Sequence, residues 1–199
     1  MRILCLDLEG VLFPEVWIAV ARHFENDSLL VTTREIPDYD ELMNHRIRLL
    51  RESGIGLQEI ARILADLKPL PGASEFLRSV QQILPVVILS DTFEQFSQAI
   101  APQLGNPMIL CNRLQVEQNV ITGYVLRQRD GKKQAIAAFQ GMNLEVFAAG
   151  DSYNDLSMIL QADRGALFRA PETIIRDNPG IPSFTEYEDL LRWVRFQPS

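Results

Sequence analysis

Short apolar runs alternate along the chain with longer segments in which apolar residues recur at helical spacing. The short runs predict buried β-strands, and the periodic segments predict amphipathic helices. This alternation is typical of an α/β protein with a doubly wound, Rossmann-like parallel sheet. Strands are expected at Ile3–Leu8, Val86–Leu89, Met108–Leu110, Val146–Ala149 and Ala166–Phe168, and helices at Ala73–Leu84, Glu94–Leu104, Lys132–Gln140, Asn154–Ala162 and Glu186–Val194.

Two segments depart from this rhythm. Residues 112–129 alternate around a turn near Asn119, which predicts a small β-hairpin. Residues 14–69 carry only helical patterns and end in a stiff, proline-rich connector. We therefore expect an α/β core made of residues 1–13 and 70–199, with a helical insertion of residues 14–69 after the first strand.

Composition narrows the class of protein and of partner. The chain has 199 residues, 47% apolar and 23% charged, which is ordinary for a soluble globular protein. Its net charge of −7 argues against nucleic acid or an anionic membrane as partner, because both need clustered Lys and Arg. No apolar stretch suits a membrane helix or a signal peptide. Cys5 and Cys111 lack metal-binding or redox spacing, which favours a reducing cytoplasm.

Acidic and small polar residues follow three of the predicted strands. Asp7 ends the first strand, Ser90 and Asp91 follow the second, and Asp151 follows the fourth. The carboxyl ends of parallel strands meet at one edge of the sheet, where ligands bind. Lys132, at the start of a helix, adds a cation nearby. The sequence therefore predicts one polar site at this edge.

These residue types suit phosphoryl transfer. Asp7 and Asp151 offer the hard oxygen ligands that Mg²⁺ prefers, and an aspartate beside Mg²⁺ can attack phosphorus to form an aspartyl-phosphate. Ser90 and Lys132 would hold the phosphoryl oxygens. Glu9 points to the same side of an extended chain as Asp7, so it can protonate the leaving group and then deprotonate water.

Four motifs in order along the chain, DLEGVL, VVILSD, Lys132 and GDSYND, resemble those of the haloacid dehalogenase-like phosphohydrolases. The helical segment after the first motif, residues 14–69, resembles the small helical cap that governs substrate specificity in the phosphoserine phosphatase branch. The whole chain is most similar to the bifunctional form of that branch, a phosphoserine phosphatase that also passes the phosphoryl group to homoserine. The resemblance implies Mg²⁺-dependent hydrolysis of O-phospho-L-serine through a phosphorylated Asp7. Transfer of the phosphoryl group to homoserine, and hydrolysis of another small phosphorylated amino acid, are the alternatives. A non-catalytic binder of phosphorylated ligands with the same fold is the alternative outside the enzymes.

The resemblance also assigns roles by position, with two departures from the family pattern. Glu9 stands where the family usually has aspartate, so its carboxylate is one methylene further out. Asp91 and Thr92 follow Ser90 where phosphoserine phosphatases commonly have glycines; we expect both to contact substrate and to affect the phosphate loop or the choice of acceptor. The implied roles are Asp7 as nucleophile, Glu9 as acid and base, Asp7, Asp151 and the Glu9 carbonyl as Mg²⁺ ligands, Ser90 and Lys132 (rather than Lys133) as phosphate ligands, and Asn154 and Asp155 as residues that order substrate and metal-bound water.

The predicted cap carries two charged residues that suit an amino-acid substrate. On a helical wheel of residues 41–52, Arg46 falls inside the apolar stripe, and a buried guanidinium needs an anionic partner. An internal salt bridge or a snorkelling side chain would explain this, and so would a clamp on a substrate carboxylate, which the resemblance favours. Glu15 either stabilises a helix N-terminus or binds a substrate ammonium, and the two roles are compatible. Tyr39 either packs in the core or lines the same pocket. Together these residues predict a small phosphorylated amino acid as ligand.

Overall fold

The computed structural model describes residues 1–32, 35–36 and 38–195. In this part of the chain, seven strands form one sheet, in the order β4-β3-β2-β1-β5-β6-β7. Neighbouring strands pair in parallel, except that β3 and β4 form the predicted antiparallel hairpin. The α/β prediction is confirmed. The strands are β1 Arg2–Leu6, β2 Val86–Phe93, β3 Met108–Glu117, β4 Val120–Val125, β5 Glu145–Gly150, β6 Arg164–Phe168 and β7 Ser183–Phe184.

Helices cover both faces of this sheet. None of the helices in the described ranges has the length and apolarity that a membrane crossing demands. Short 3-10 turns lie at Asp27–Leu30, Ala101–Leu104 and Tyr153–Asp155. The α-helices are α1 Val16–His23, α2 Tyr39–Glu52, α3 Leu57–Asp66, α4 Ala73–Gln81, α5 Glu94–Ile100, α6 Gly131–Gly141, α7 Leu156–Gln161, α8 Glu172–Asp177 and α9 Tyr187–Arg195.

Strand β1 lies at the centre of the sheet, and successive side chains along it enter two different cores. Leu4 and Leu6 belong to the larger core, which also holds residues of α4 and α9. Ile3 and Cys5 belong to the smaller core, which holds residues of α6, α7 and α8. A strand that is buried on both faces reads as a continuous apolar run, and this explains the unbroken hydrophobic start of the chain. Burial raises the pKa of the Cys5 thiol to about 12, as expected for an inert core cysteine.

The segment that follows β1 folds as α1, α2 and α3, and the described part of it contains no strand, as the helical pattern predicts. These helices contact the α/β core at the hairpin of β3 and β4. The Leu57 amide donates to the carbonyl of Asn119 at 2.9 Å, and the Gln58 amide donates to the Asn119 side chain at 2.8 Å. The Tyr124 hydroxyl also bonds the Asp40 carboxylate. The predicted turn near Asn119 is therefore a point of contact between the helical segment and the sheet.

Three differences from the predicted elements have physical causes. Strand β2 continues past Leu89 to Phe93, and its pairing with β3 shifts register between these two residues, which marks a bulge. The helix expected at Glu94–Leu104 ends at Ile100 and continues as a 3-10 turn, because proline interrupts regular helix. Helix α8 and strand β7 were not predicted, because both are too short to show a period.

Candidate active site

The acidic strand ends lie side by side at one edge of the sheet. Strands β1 and β5 pair in parallel, and the Asp7 amide extends this pairing by donating to the Ala149 carbonyl at 3.0 Å. The residue that follows β1 therefore lies beside the residue that follows β5. Carboxylate oxygens of Asp7, Asp151 and Asp155 lie within 4.8 Å of one another. The register of a central strand pair thus brings together residues that are almost 150 positions apart in the sequence.

Lys132 lies at the centre of a group that we call the lysine cluster: Lys132, Asp7, Asp91 and Asp155. Its Nζ lies 2.7 Å from Asp155 Oδ1, 2.9 Å from Asp7 Oδ1 and 3.8 Å from Asp91 Oδ2. Lys132 and Asp7 are buried and Asp155 is fully buried, whereas the Asp91 side chain is 46% exposed. An ammonium group has three N–H donors, and two of them are used by the buried carboxylates.

Asp155 links the lysine cluster to the turn after β5 through its two carboxylate oxygens. Its Oδ2 accepts hydrogen bonds from the amides of Asp151 and Ser152, both at 3.0 Å, and from the Ser152 hydroxyl at 2.8 Å. Its other oxygen binds Lys132. Both oxygens of Asp155 are therefore hydrogen-bonded, and the bonds to Oδ2 hold the turn after β5 in place. A Cβ on Gly150 would lie 2.4 Å from the Asp155 side chain, so only glycine allows this approach.

The glycine after Glu9 has a similar explanation. Gly10 has φ +77°, a backbone conformation that favours glycine, and a Cβ there would lie 2.4 Å from a carboxylate oxygen of Asp151. The turn after β1 can therefore pass directly over the Asp151 carboxylate. Any larger residue at Gly10 would displace one of the two proposed metal-binding carboxylates.

Burial controls the protonation of the lysine cluster. Burial, followed by the negative charge of Asp155, raises the pKa of Asp7 well above its usual value. Burial and Asp155 also raise the pKa of Asp151, to about 7. Burial alone would lower the pKa of Lys132, but the carboxylates of Asp155 and Asp7 outweigh it and hold this pKa well above the usual value. The lysine is therefore a permanent cation in an acidic site.

The irregular part of β2 holds Ser90 and Thr92 on either side of Asp91, the exposed member of the lysine cluster. The Ser90 hydroxyl accepts a hydrogen bond from the Thr92 amide at 3.1 Å, and both side chains are buried. Asp91 is the exposed member of the strand. Its Oδ2 accepts a hydrogen bond from Asn154 Nδ2 at 3.0 Å. The bulge thus brings the second motif into contact with the fourth through Asp91 and Asn154.

Arg46 lies at the centre of a second group, the arginine cluster: Arg46, Glu9, Glu15 and Trp17. The guanidinium is buried, lies 4.6 Å over the ring of Trp17 and donates from Nη2 to the Val31 carbonyl at 3.0 Å. In the described residues, two buried side-chain polar atoms have no hydrogen-bond partner, namely Arg46 Nε and Thr92 Oγ1. Burial lowers the pKa of Arg46 to about 10. The predicted buried position of Arg46 is confirmed, and its hydrogen bonding is incomplete.

Glu9 and Glu15 share the neighbourhood of Arg46. Glu9 Oε2 accepts a hydrogen bond from the Val16 amide at 2.9 Å, at the start of α1. Glu15 precedes this helix, as predicted, and its side chain is exposed. Burial and the negative charge of Glu15 raise the pKa of Glu9 to about 8, against the opposing influence of Arg46. A carboxyl group with this pKa carries a proton at neutral pH and can donate it.

Comparisons with known proteins agree with this geometry. A family model described as haloacid dehalogenase-like hydrolase matches residues 1–163. The chain belongs to the haloacid dehalogenase-like hydrolases. It is 51% identical over 193 residues to phosphoserine phosphatase ThrH of Pseudomonas aeruginosa, covering 96% of this chain and 94% of that relative. It is 48% identical over 193 residues to a phosphoserine phosphatase of Pseudomonas syringae pv. tomato, covering 96% and 81%.

A solved structure shares the fold of this haloacid dehalogenase-like hydrolase. It is described as a phospho-aspartyl intermediate analogue of phosphoserine phosphatase, and it superposes with a TM-score of 0.76 at 17% sequence identity. The match covers 96% of this chain and 98% of that one. At this identity the likeness shows the fold, including the seven-stranded, mostly parallel sheet described above.

The acidic residues of this hydrolase fit a divalent metal ion. The oxygens of Asp7, Asp151 and Asp155 are close enough to share one ion, and carboxylates are the ligands of hard cations. Both oxygens of Asp155 already hold hydrogen bonds to Lys132 and to the turn after β5. Asp7 and Asp151 are therefore better suited than Asp155 to bind a metal ion. The described contacts of Asp7, with Lys132 and with the Leu8 amide, are both made by its Oδ1.

Two residues of this site were missed or only partly recognised in the sequence. Asn112 is buried on β3; its Nδ2 donates to the Asp91 carbonyl at 3.2 Å, and its Oδ1 accepts from the Arg127 amide at 3.1 Å. Its signal was an amide side chain within an apolar strand. Tyr39 donates from its hydroxyl to the same Asp91 carbonyl at 3.2 Å, so it contacts the site as well as packing. Lys133, the less favoured lysine, is exposed on α6 and outside the cluster.

Proposed function

We propose that this chain is a Mg²⁺-dependent phosphoserine phosphatase that converts O-phospho-L-serine and water to L-serine and phosphate. The observation that carries the proposal is the buried Asp7 carboxylate at the end of β1, held against Lys132 at 2.9 Å. Two relatives that align over nearly all of this chain are phosphoserine phosphatases, and a structure of the same fold is a phospho-aspartyl intermediate analogue. A buried aspartate beside a fixed cation suits nucleophilic attack on phosphorus.

In the first step, an oxygen of Asp7 attacks the phosphorus of the substrate. The Asp7–phosphorus bond forms, the bond from phosphorus to the serine oxygen breaks, and Glu9 gives its proton to that oxygen. Its pKa of about 8 means that the proton is present at neutral pH. Lys132 and the Ser90 hydroxyl bind phosphoryl oxygens, and Lys132 balances the charge that develops there.

In the second step, Glu9 takes a proton from water, and the water oxygen attacks phosphorus. The bond between Asp7 and phosphorus breaks, which releases phosphate and restores the Asp7 carboxylate. A Mg²⁺ ion held by Asp7, Asp151 and the Glu9 carbonyl would supply further neutralisation of the phosphoryl charge. Asn154 helps to hold the substrate, and Asp155 keeps the metal-binding turn and Lys132 in place.

The arginine cluster supports an amino-acid substrate. Arg46 Nε is buried and has no hydrogen-bond partner in the part of the chain that the structure describes, and a carboxylate can accept hydrogen bonds from two guanidinium nitrogens at once. Glu15 lies close enough to act electrostatically on both Glu9 and Asp151, and its exposed carboxylate is available to a substrate ammonium. We therefore infer that residues 14–69 act as a specificity cap over the α/β core of residues 1–13 and 70–199.

Transfer of the phosphoryl group to homoserine is a second reaction of the same intermediate. The structural feature that favours a different acceptor is the pair Asp91 and Thr92, whose side chains replace the glycines of the usual pattern. Thr92 Oγ1 is buried and has no hydrogen-bond partner in the described residues, so it is free to bind a ligand.

Both thiols, Cys5 and Cys111, are buried and free, and we place the protein in the reducing cytoplasm.

A substrate panel tests this function. Phosphate release is measured with and without Mg²⁺ from phosphoserine, phosphothreonine, phosphoethanolamine and 3-phosphoglycerate, the last two lacking the carboxylate and the ammonium, respectively. We expect phosphoserine to give the highest kcat/KM, and only with the metal present. A second series adds homoserine and measures phosphohomoserine by mass spectrometry. Equal turnover of all four esters would contradict the proposed substrate, and absence of phosphohomoserine would contradict the transfer.

A further inference from the structure

The Asp91 carboxylate approaches two side chains to which the proposed function gives a role in binding the substrate. A single oxygen of Asp91, Oδ2, lies 3.0 Å from Asn154 Nδ2 and 3.8 Å from Lys132 Nζ. The proposed function assigns phosphate and substrate to the same two donors. Lys132 has two of its three N–H groups committed to Asp7 and Asp155, and Asp91 is the next carboxylate that pairs with it. We propose that the Asp91 carboxylate competes with phosphate for Lys132 and Asn154, and so determines how weakly this enzyme holds the phosphate group.

The backbone around Asp91 is fixed, so this position of the carboxylate is built into the fold. The Asp91 carbonyl accepts hydrogen bonds from the Tyr39 hydroxyl and from Asn112 Nδ2, each at 3.2 Å. The next amide, that of Thr92, is tied to the Ser90 hydroxyl. The Asp91 side chain is 46% exposed, so it can turn toward solvent once its hydrogen bond to Asn154 breaks. Phosphate can therefore enter when the Asp91 side chain rotates toward solvent.

Charge favours the same conclusion. Among the ion pairs of the described residues, Lys132 is the cation paired with Asp7, Asp91 and Asp155, and Asp151 lies close to Asp7 and Asp155; a phosphate group adds further negative charge to these carboxylates. Of the four, Asp91 is the most exposed and is neither a proposed metal ligand nor a support for the turn after β5. A side chain that repels and replaces phosphate weakens binding of the product, which promotes its release.

Binding of inorganic phosphate tests this inference, which rests on the proposed phosphate site. The dissociation constant is measured by calorimetry in the presence of Mg²⁺ for the natural chain, Asp91→Asn, Asp91→Gly and Asp66→Asn. We expect both Asp91 variants to bind phosphate about tenfold more tightly, because a repulsive charge has been removed from contact distance. Asp66→Asn makes the same change of charge on the exposed end of α3 and should leave the affinity unchanged.

The sign of the effect separates the inference from damage to the site, since damage weakens binding. Unchanged or weaker phosphate binding by both Asp91 variants would overturn the inference, and so would equal tightening in Asp66→Asn. Phosphoserine hydrolysis by the natural chain is measured in parallel. If the natural chain hydrolyses phosphoserine but the Asp91 variants bind phosphate no more tightly, only the inference is wrong. If the Asp91 variants tighten and phosphoserine is not hydrolysed, the inference stands and the proposed substrate is wrong.

Discussion

Lys132 and Arg46 are both buried cations with carboxylates nearby, yet their surroundings satisfy them to different degrees. Lys132 contacts two buried carboxylates at 2.7 and 2.9 Å. Arg46 has a carbonyl at 3.0 Å, the face of Trp17, and a buried Nε without a partner in the described residues. The pKa of Lys132 is raised, whereas that of Arg46 is lowered by burial. The lysine cluster is complete before substrate arrives, whereas Arg46 keeps one guanidinium nitrogen without a hydrogen-bond partner among the described residues.

This difference separates chemistry from recognition. A reacting group gains from surroundings that are already organised, because no reorganisation is needed during the reaction. A recognition group gains from an unsatisfied donor, because a ligand that satisfies it recovers the free energy that burial cost. Changes in the lysine cluster should therefore affect turnover and stability, and changes in the arginine cluster should affect the proton transfer and the choice of substrate.

The largest expected effect is that of Asp7→Asn in the lysine cluster. The amide cannot attack phosphorus, so we expect the turnover of phosphoserine to fall by at least about 10⁴-fold. The pKa of Asp7 is raised by burial and by Asp155, which means that its ionised form is costly in the fold. The melting temperature should therefore be unchanged or higher, as followed by circular dichroism. Turnover close to that of the natural chain would exclude Asp7 as the nucleophile.

Lys132→Met should give the largest loss of stability. It leaves the carboxylates of Asp7 and Asp155 buried without their cation, and breaking such a pair costs about 3–5 kcal/mol. Urea denaturation measures this as a lower midpoint with an unchanged slope. Lys133→Met, on the exposed side of the same helix, is the matched control and should change the free energy of unfolding by less than about 0.5 kcal/mol. Equal losses in the two variants would contradict the organised lysine cluster.

The sequence predicted the lysine cluster better than its surroundings. Asp7, Asp151 and Lys132 could be assigned to one site from the sequence, because each follows or precedes a strongly periodic element and parallel strands bring their ends together. Asp91 was placed at the same edge, but its contacts with Lys132 and Asn154 were not predicted, because the bulge in β2 depends on its pairing with β3, which no local pattern records. The role of Asn112 in the site was missed for the same reason, since Asn112 contacts Asp91 across the pairing of β2 and β3.

The arginine cluster was predicted from one helical face. Arg46 was recognised as buried because its position on α2 falls inside an apolar stripe, which is a local property of the sequence. Its contact with Trp17 joins α2 to α1, and spacing along one helix carries no information about a contact between two. The raised pKa of Glu9 likewise depends on Glu15 and on burial, which only the folded chain brings together.

Glu9→Gln tests the proton transfer at the edge of the arginine cluster. Glu9 must carry a proton to protonate the leaving oxygen, and its pKa is about 8. In the natural chain, kcat/KM should therefore fall as the pH rises through about 8, because Glu9 of the free enzyme loses that proton. The glutamine variant should be about a hundredfold slower and should lack this decline, since its amide does not titrate. Rates measured from about pH 6 to about pH 10, which is roughly two units on either side of that pKa, test both expectations. A decline that persists in the variant would assign the titration to another group.

Arg46→Lys should give the smallest change and the most selective one. Lysine keeps the positive charge but loses the second nitrogen that a carboxylate can bind, and it cannot stack on Trp17 in the same way. We expect KM for phosphoserine to rise about tenfold with little change in kcat, because the lost contact forms before the reacting bonds change. For phosphoethanolamine, which has no carboxylate, KM should hardly change.

The matched control for this change is Arg48→Lys, which alters an exposed guanidinium on the same helix. It should leave KM unchanged for both esters, because Arg48 contacts His45 and not the arginine cluster. An equal rise in KM for phosphoserine and phosphoethanolamine in Arg46→Lys would show that the variant disturbs the packing of α2 instead of a carboxylate contact. The unpaired Nε of Arg46 would then be a cost of the fold, and the contrast with Lys132 would no longer separate recognition from chemistry.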